Sequence, residues 1–136
     1  MPNNNKISVD LKPNKYDVII GADLYARAAQ YITPLLARNR LIIIADENAW
    51  AVHGERFSAS LRAAQIEIFV VRVASGETSK SFASFERVIE EILAHGVERT
   101  DIIVAFGGGV IGDLTGFAAG VINRGIGFIQ VPTTLL

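Results

Sequence analysis

Eight residues, Phe106 to Asp113, read FGGGVIGD: four glycines follow a short apolar run, and an acid closes the stretch. Glycine lets another backbone or a phosphate come close. Gly107, Gly109 and Gly112 satisfy G-x-G-x-x-G. A helix opening near Gly112 would aim free N–H groups and its dipole at the adjoining space, which suits a pyrophosphate. Two features set the stretch apart from the simple dinucleotide fingerprint. Several strands precede it, and the segment about 20 residues on, IQVPTT, offers no acid for a ribose hydroxyl. Asp46, at the end of RLIIIAD, is the candidate for that task. Gly112 is followed by Asp113 rather than by Lys and Ser or Thr, so the NTPase phosphate loop is not matched. Asp113, expected in the first helical turn, would repel a phosphate beside it. It either offsets the helix dipole, worth about 0.3–1 kcal/mol, or accepts a bond from a ribose hydroxyl.

These residues need a scaffold, and the pattern supplies one. KISVDL alternates, KPNK supplies a turn, and YDVIIG returns, which predicts an N-terminal hairpin. Residues 22–36 carry a helical pattern through Leu24, Ala28, Tyr31 and Ile32, with Pro34 at its end. RLIIIAD is a short apolar run with continuous rather than alternating burial, the mark of a strand covered on both faces in a parallel sheet. IEIFVVRV, DIIVAF and IGFIQV read as further strands, DIIVAF buried and IGFIQV stopped by Pro132. Helices are expected over 53–64, over 79–95 and from about 112 to 123. The second of these has Phe82, Phe85, Ile89 and Ile92 on its apolar side, Thr78 or Ser79 as its cap and Gly96 at its end. The alternation predicts an α/β, Rossmann-like, mostly parallel sheet with flanking helices. Ligands bind such sheets at the C-terminal strand ends. That edge collects residues 46–48, 74–80, 107–113 and 132–134.

The totals set bounds. The chain has 136 residues, half of them hydrophobic, and a formal net charge of -1. This fits one domain, 1–136, with a real core. No basic stripe favours nucleic acid, and no polybasic arm favours a membrane surface. There is no cysteine, so disulfides and thiolate metal sites are excluded. The N-terminal MPNNNKISVD lacks the basic start and apolar run of a signal peptide, and a cytoplasmic location is expected. The ending on Leu135 and Leu136, straight after a strand, reads as the front part of a longer protein.

GGGVIGDLTGFAAGVINRGIGFIQVPTTLL closely resembles the 3-dehydroquinate synthase family, as do ADEN at 45–48 and SGETSKS at 75–81, in the same order. Related glycine loops occur in glycerol and iron-dependent alcohol dehydrogenases, and sugar-phosphate cyclases are nearer still. The resemblance implies an NAD-binding α/β domain followed by a mostly helical domain. It also implies a divalent metal, zinc or cobalt, and a homodimer. The substrate it implies is a small phosphorylated sugar acid, 3-deoxy-D-arabino-heptulosonate 7-phosphate, converted to 3-dehydroquinate and phosphate in aromatic amino acid biosynthesis. Carried over residue by residue, Gly107, Gly108, Gly109 and Val110 match the loop over the NAD pyrophosphate. Asp113 matches an acid beside the nicotinamide half. Asp46 and Asn48 match adenosine-side contacts, and Glu77 and Lys80 a further nucleotide contact. Thr133 and Thr134 match a Pro-Thr-Thr that reaches NAD, and Arg124 an arginine that meets the substrate's phosphate or phosphonate, from the same subunit or across the subunit boundary.

Plainer roles stand beside these. Glu77 and Lys80 could be a surface pair worth about 0.2–0.5 kcal/mol. Arg124 could offset a helix C-terminus, Thr133 and Thr134 could cap a following helix, and Asn48 could cap the helix around Trp50. His95 reads as a helix cap, His53 as a surface helix start, and Trp50 and the phenylalanines as packing. The family's metal ligands and most of its substrate-gripping groups would follow Leu136. No catalytic or metal-binding residue is therefore expected within 1–136, and these residues alone are expected to lack synthase activity and to self-associate. A related sugar-phosphate cyclase, a polyol dehydrogenase, or a non-catalytic nucleotide-binding or assembly module are the alternatives.

Overall fold

The computed structural model describes residues 5–11, 14–76 and 81–134. Two strands, β1 (Asn5–Leu11) and β2 (Asn14–Ile20), form an antiparallel hairpin. Ile7 pairs with Val18 and Val9 with Tyr16, so the apolar residues share one face as the alternation requires. That face is exposed at Ile7, Leu11, Tyr16, Val18 and Ile20. The hairpin is a separate two-stranded sheet.

The main sheet holds β3 (Arg40–Asp46), β4 (Glu67–Val73), β5 (Ile102–Gly107) and β6 (Gly127–Pro132), all parallel, in the order β4-β3-β5-β6. Burial of successive residues on both faces explains the unbroken apolar runs of the central β3 and β5, whereas the edge strands β4 and β6 are only partly covered, β6 alternating between half-buried and exposed residues. Ile42, Ile44, Ile103 and Ala105 face α3 (Phe82–Ala94) and α4 (Gly109–Val121). Leu41, Ile43, Ala45, Val104 and Phe106 face α1 (Ala28–Ile32) and α2 (Glu47–Ala63). The chain runs outward from β3 to β4, crosses back to β5 and continues outward to β6. The direction of winding therefore reverses between β3 and β5, where an open α/β sheet leaves a crevice at its C-terminal edge. No helix among the described residues is long and apolar enough to cross a membrane.

The helices correct several expectations. Residues 22–36 are not one helix but a short α1 between two 3-10 turns, Tyr25–Arg27 and Thr33–Leu35. Arg27 leaves helical geometry at ψ 14°, and Pro34 has no N–H to continue the ladder. α2 starts six residues earlier than expected, capped by Asp46 rather than Asn48: the Asp46 Oδ2 accepts from the Ala49 N–H at 2.8 Å. α3 is capped by Ser81, whose Oγ accepts from the Ser84 N–H at 3.2 Å; Thr78 and Ser79 lie outside the described residues. Phe82 is not part of its apolar stripe, being 90% exposed. Val88 and Ile92 are the buried pair, with Phe85 and Ile89 beside them. The helix ends as expected at Gly96, whose φ of 71° a side chain would strain.

α2 carries a buried glycine in mid-helix. An alanine usually gains about 1 kcal/mol over glycine there. At Gly54 an added Cβ would sit 2.5 Å from Trp50 Cδ2 and 2.6 Å from Cε2. The indole stands edge-on to Phe106 at 5.2 Å and Phe57 at 6.4 Å, so it has no easy exit. Gly54→Ala is expected to destabilise by roughly 1–3 kcal/mol, read as a lower Tm with an altered tryptophan signal. A raised Tm would show that the indole swings aside freely.

Candidate functional site

The reversal point between β3 and β5 brings Asp46 and Gly107 together. A Cβ on Gly107 would meet Asp46 Cβ at 2.9 Å and Ile111 Cγ1 at 2.8 Å, so only glycine lets β5 leave the sheet here. Gly108 is the N-cap of α4 and provides no side-chain cap. The helix therefore begins at Gly109, three residues before the expected start at Gly112. The Gly112 N–H donates to the Gly108 carbonyl at 3.1 Å and is spent. The amides of Gly109, Val110 and Ile111 precede this first intrahelical bond and have no acceptor within the helix. They carry the positive end of the dipole.

β6 closes the other side. The Thr133 N–H donates to the Gly107 carbonyl at 3.0 Å, and the Thr134 Oγ1 lies 3.0 Å from where a Gly108 Cβ would be. Between these parts lies a cavity of about 420 Å³. Asp46, Asn48, Gly108, Gly109, Val110, Thr133 and Thr134, all singled out from sequence, line it. Gly107 lies beneath, on a smaller hollow of about 40 Å³ toward Gln130. Gly76, at the end of the segment after β4, reaches the cavity; Glu77 and Lys80 lie outside the described residues. Asp46 both caps α2 through its Oδ2 and lines the cavity.

Two residues fall elsewhere. Asp113 is not in the first turn of α4, because the helix starts at Gly109; the reading of Asp113 as a first-turn acid is withdrawn with the late helix start. It sits on an exposed part of the second turn and does not line the cavity. Arg124 follows α4 at the opposite edge of the sheet, about 20 Å away by the rise of a thirteen-residue helix. It stands in a strained turn: Asn123 and Arg124 have φ of 47° and 66°, ahead of Gly125 at 108°. Such geometry costs a non-glycine residue about 1–2 kcal/mol. The Asn123 Nδ2 holds it by donating to the Val97 carbonyl at 3.3 Å.

Sequence reasoning missed three lining residues, Ala49, Val52 and His53; Gly76 and Ile111 fall in stretches it had placed at this edge. His53 is half-buried, not a simple surface position, and its ring lies 5.1 Å from Tyr25. Tyr25 packs in turn on Phe106 and Phe57, and burial pushes its phenol above the usual value. Once Asp46 is known as the cap, Ala49, Val52 and His53 follow at helical spacing on one face of α2. No group of three or more His, Cys, Asp or Glu among the described residues could hold a metal ion.

A family model described as "3-dehydroquinate synthase N-terminal" matches residues 70–136. The chain is 48% identical over 130 residues to the 3-dehydroquinate synthase of Ruegeria sp. (strain TM1040), covering 96% of this chain and 35% of that protein. Among solved structures, 2-deoxy-scyllo-inosose synthase complexed with carbaglucose-6-phosphate, NAD+ and Co2+ superposes with a TM-score of 0.78 at 27% identity, over 96% of this chain and 35% of that one. The 2-epi-5-epi-valiolone synthase of Streptomyces hygroscopicus subsp. jinggangensis 5008, with NAD+ and Zn2+ bound, has a TM-score of 0.78 at 31% identity, over 93% and 34%. The chain thus spans about a third of the length of the relatives it matches.

Proposed function

The chain matches the N-terminal part of the 3-dehydroquinate synthase family, within the sugar-phosphate cyclases, and on that premise we propose that it is the NAD-binding part of an enzyme converting 3-deoxy-D-arabino-heptulosonate 7-phosphate to 3-dehydroquinate with release of phosphate. The observation that carries this reading is the uncapped start of α4 facing a cavity that the glycines keep open. The Gly109, Val110 and Ile111 amides would take the pyrophosphate. Asp46 would take ribose hydroxyls, since its carboxylate repels phosphate. Asn48 and the two threonines would fix the remainder by hydrogen bonds, and Glu77 and Lys80, which match a further nucleotide contact of the family, are assigned to the nucleotide as well. Asp113, on the next turn of α4, is assigned to the nicotinamide half.

Bound NAD would supply a transient hydride acceptor, so that one ring hydroxyl becomes a carbonyl and the neighbouring C–H becomes acidic. The work of these residues is to bind and orient. The fold gives no ligand set for the metal among the described residues. Arg124 stands too far from its own cavity to share a ligand with it. It is assigned to the substrate phosphate in a second copy, which makes the working unit a homodimer.

The test has two arms. Calorimetric titration of the chain with NAD should show one site. In a longer protein carrying this chain, NAD, zinc and the heptulosonate phosphate should yield phosphate and 3-dehydroquinate, and Arg124→Ala should lose that turnover while leaving NAD affinity intact. Net reduction of NAD with a polyol would favour a dehydrogenase. No NAD binding in either protein would favour an assembly module.

A further inference from the structure

The cavity has two unlike ends. One is the amide end at Gly109–Ile111. The other is built by α2, where Ala49 and Val52 are apolar and His53 supplies an aromatic ring. Asp46 lies between them, at the N-cap of α2. A dinucleotide with its pyrophosphate on the amides and a ribose on Asp46 has one group left to place beyond that ribose, its base. The surface waiting there is an imidazole.

That imidazole is held in place. It is tilted 31° to the Tyr25 ring at 5.1 Å, and Tyr25 rests on Phe106 at 5.5 Å. Phe106 is fully buried at the end of β5, one residue before the glycines. The ring is therefore fixed to the same strand that aims the amides. We propose that His53, backed by Tyr25, is the stacking surface for the adenine of the bound nucleotide and a determinant of affinity for its adenosine half. This rests on the dinucleotide reading above. A flat ring fixed in advance binds a base with little ordering cost, and base–aromatic contacts of this kind are sensitive to truncation to alanine.

The chain has two histidines, which makes the experiment clean. His95 stacks on Phe69 at 4.5 Å, at the end of α3 away from the cavity, and serves as an internal control. Adding AMP or ADP-ribose should move the His53 ring-proton resonances upfield and leave those of His95 in place. His53→Ala should weaken ADP-ribose roughly tenfold and leave nicotinamide mononucleotide unchanged, whereas His53→Phe should stay within about twofold of the native chain. If ADP-ribose binds while the His53 signals stay still, or if His53→Ala binds it as tightly as the native chain, the stacking role is wrong and the dinucleotide reading survives. If neither the chain nor a longer protein carrying it binds NAD or ADP-ribose, both fall. Should His53→Ala fail to fold, the ring shifts and the phenylalanine variant decide.

Discussion

Gly107→Ala should lower the affinity for NAD by on the order of a hundredfold, equivalent to about 2.8 kcal/mol, and lower the Tm as well. The added methyl would lie 2.8 Å from Ile111 Cγ1 and 2.9 Å from Asp46 Cβ. Neither neighbour can retreat cheaply. Ile111 is buried in the core against α3 and β3, and Asp46 is fixed by its bond to the Ala49 N–H. Relief therefore moves the start of α4 away from β3, which carries the Gly109–Ile111 amides off the pyrophosphate and Asp46 off the ribose together. Overpacking of this kind costs about 1–3 kcal/mol of stability. Gly108→Ala is the milder companion, because its contact is the Thr134 Oγ1 at 3.0 Å. That side chain can rotate, so affinity should fall with little change in Tm. Titration calorimetry and thermal melts of both variants check the ordering. Gly107→Ala binding NAD like the native chain would remove the reason for a glycine at the end of β5.

Much of this site was legible in the sequence because strands announce themselves on two sides. Leu41–Ala45 and Ile102–Phe106 are unbroken apolar runs, since both faces of β3 and β5 are covered, and each is followed by a residue with a task, Asp46 or Gly107. Helix starts were harder. A glycine N-cap leaves no side-chain signature, so nothing in GGGVIGD distinguishes a start at Gly109 from one at Gly112. Asp46 serves as strand end, cap and cavity wall at once, and assigning it only to a ligand hid the first turns of α2 and with them His53. Phe82 has the spacing of the apolar face of α3 yet occupies its first position, where nothing described covers it. Arg124 shows the other limit. Its motif can be matched in sequence, but its distance from the cavity comes only from the direction of α4.

The second large effect lies at the other edge, where the strands that build the site begin. Asp101 is 5% exposed in its side chain, and its carboxylate accepts from Arg38 Nε at 2.8 Å, Arg38 Nη2 at 2.6 Å and the Glu98 N–H at 2.8 Å. Arg38 Nη2 also donates to the Gly96 carbonyl at 2.9 Å. One carboxylate thus joins the approach to β3, the end of α3 and the start of β5. Asp101→Ala leaves the Glu98 N–H without its acceptor and the guanidinium without its carboxylate; Arg38 keeps some solvent access, so the cost is put at about 2–3 kcal/mol. The hydrogen bonds from Arg38, aided by the Glu98 amide, hold the Asp101 carboxyl below the usual carboxylate range. A carboxyl depressed in the folded state adds stability that is complete above its ordinary value near 3.8 and is lost as pH falls through the lower folded value. Native Tm should therefore decline at the acid end, and Asp101→Asn should flatten that decline while lowering Tm at pH 7. Because the pair anchors β3 and β5 far from the cavity, NAD affinity measured well below Tm should hardly change in Asp101→Asn. A large loss of affinity there would mean that the register of the two strands, and not only their stability, depends on this carboxylate.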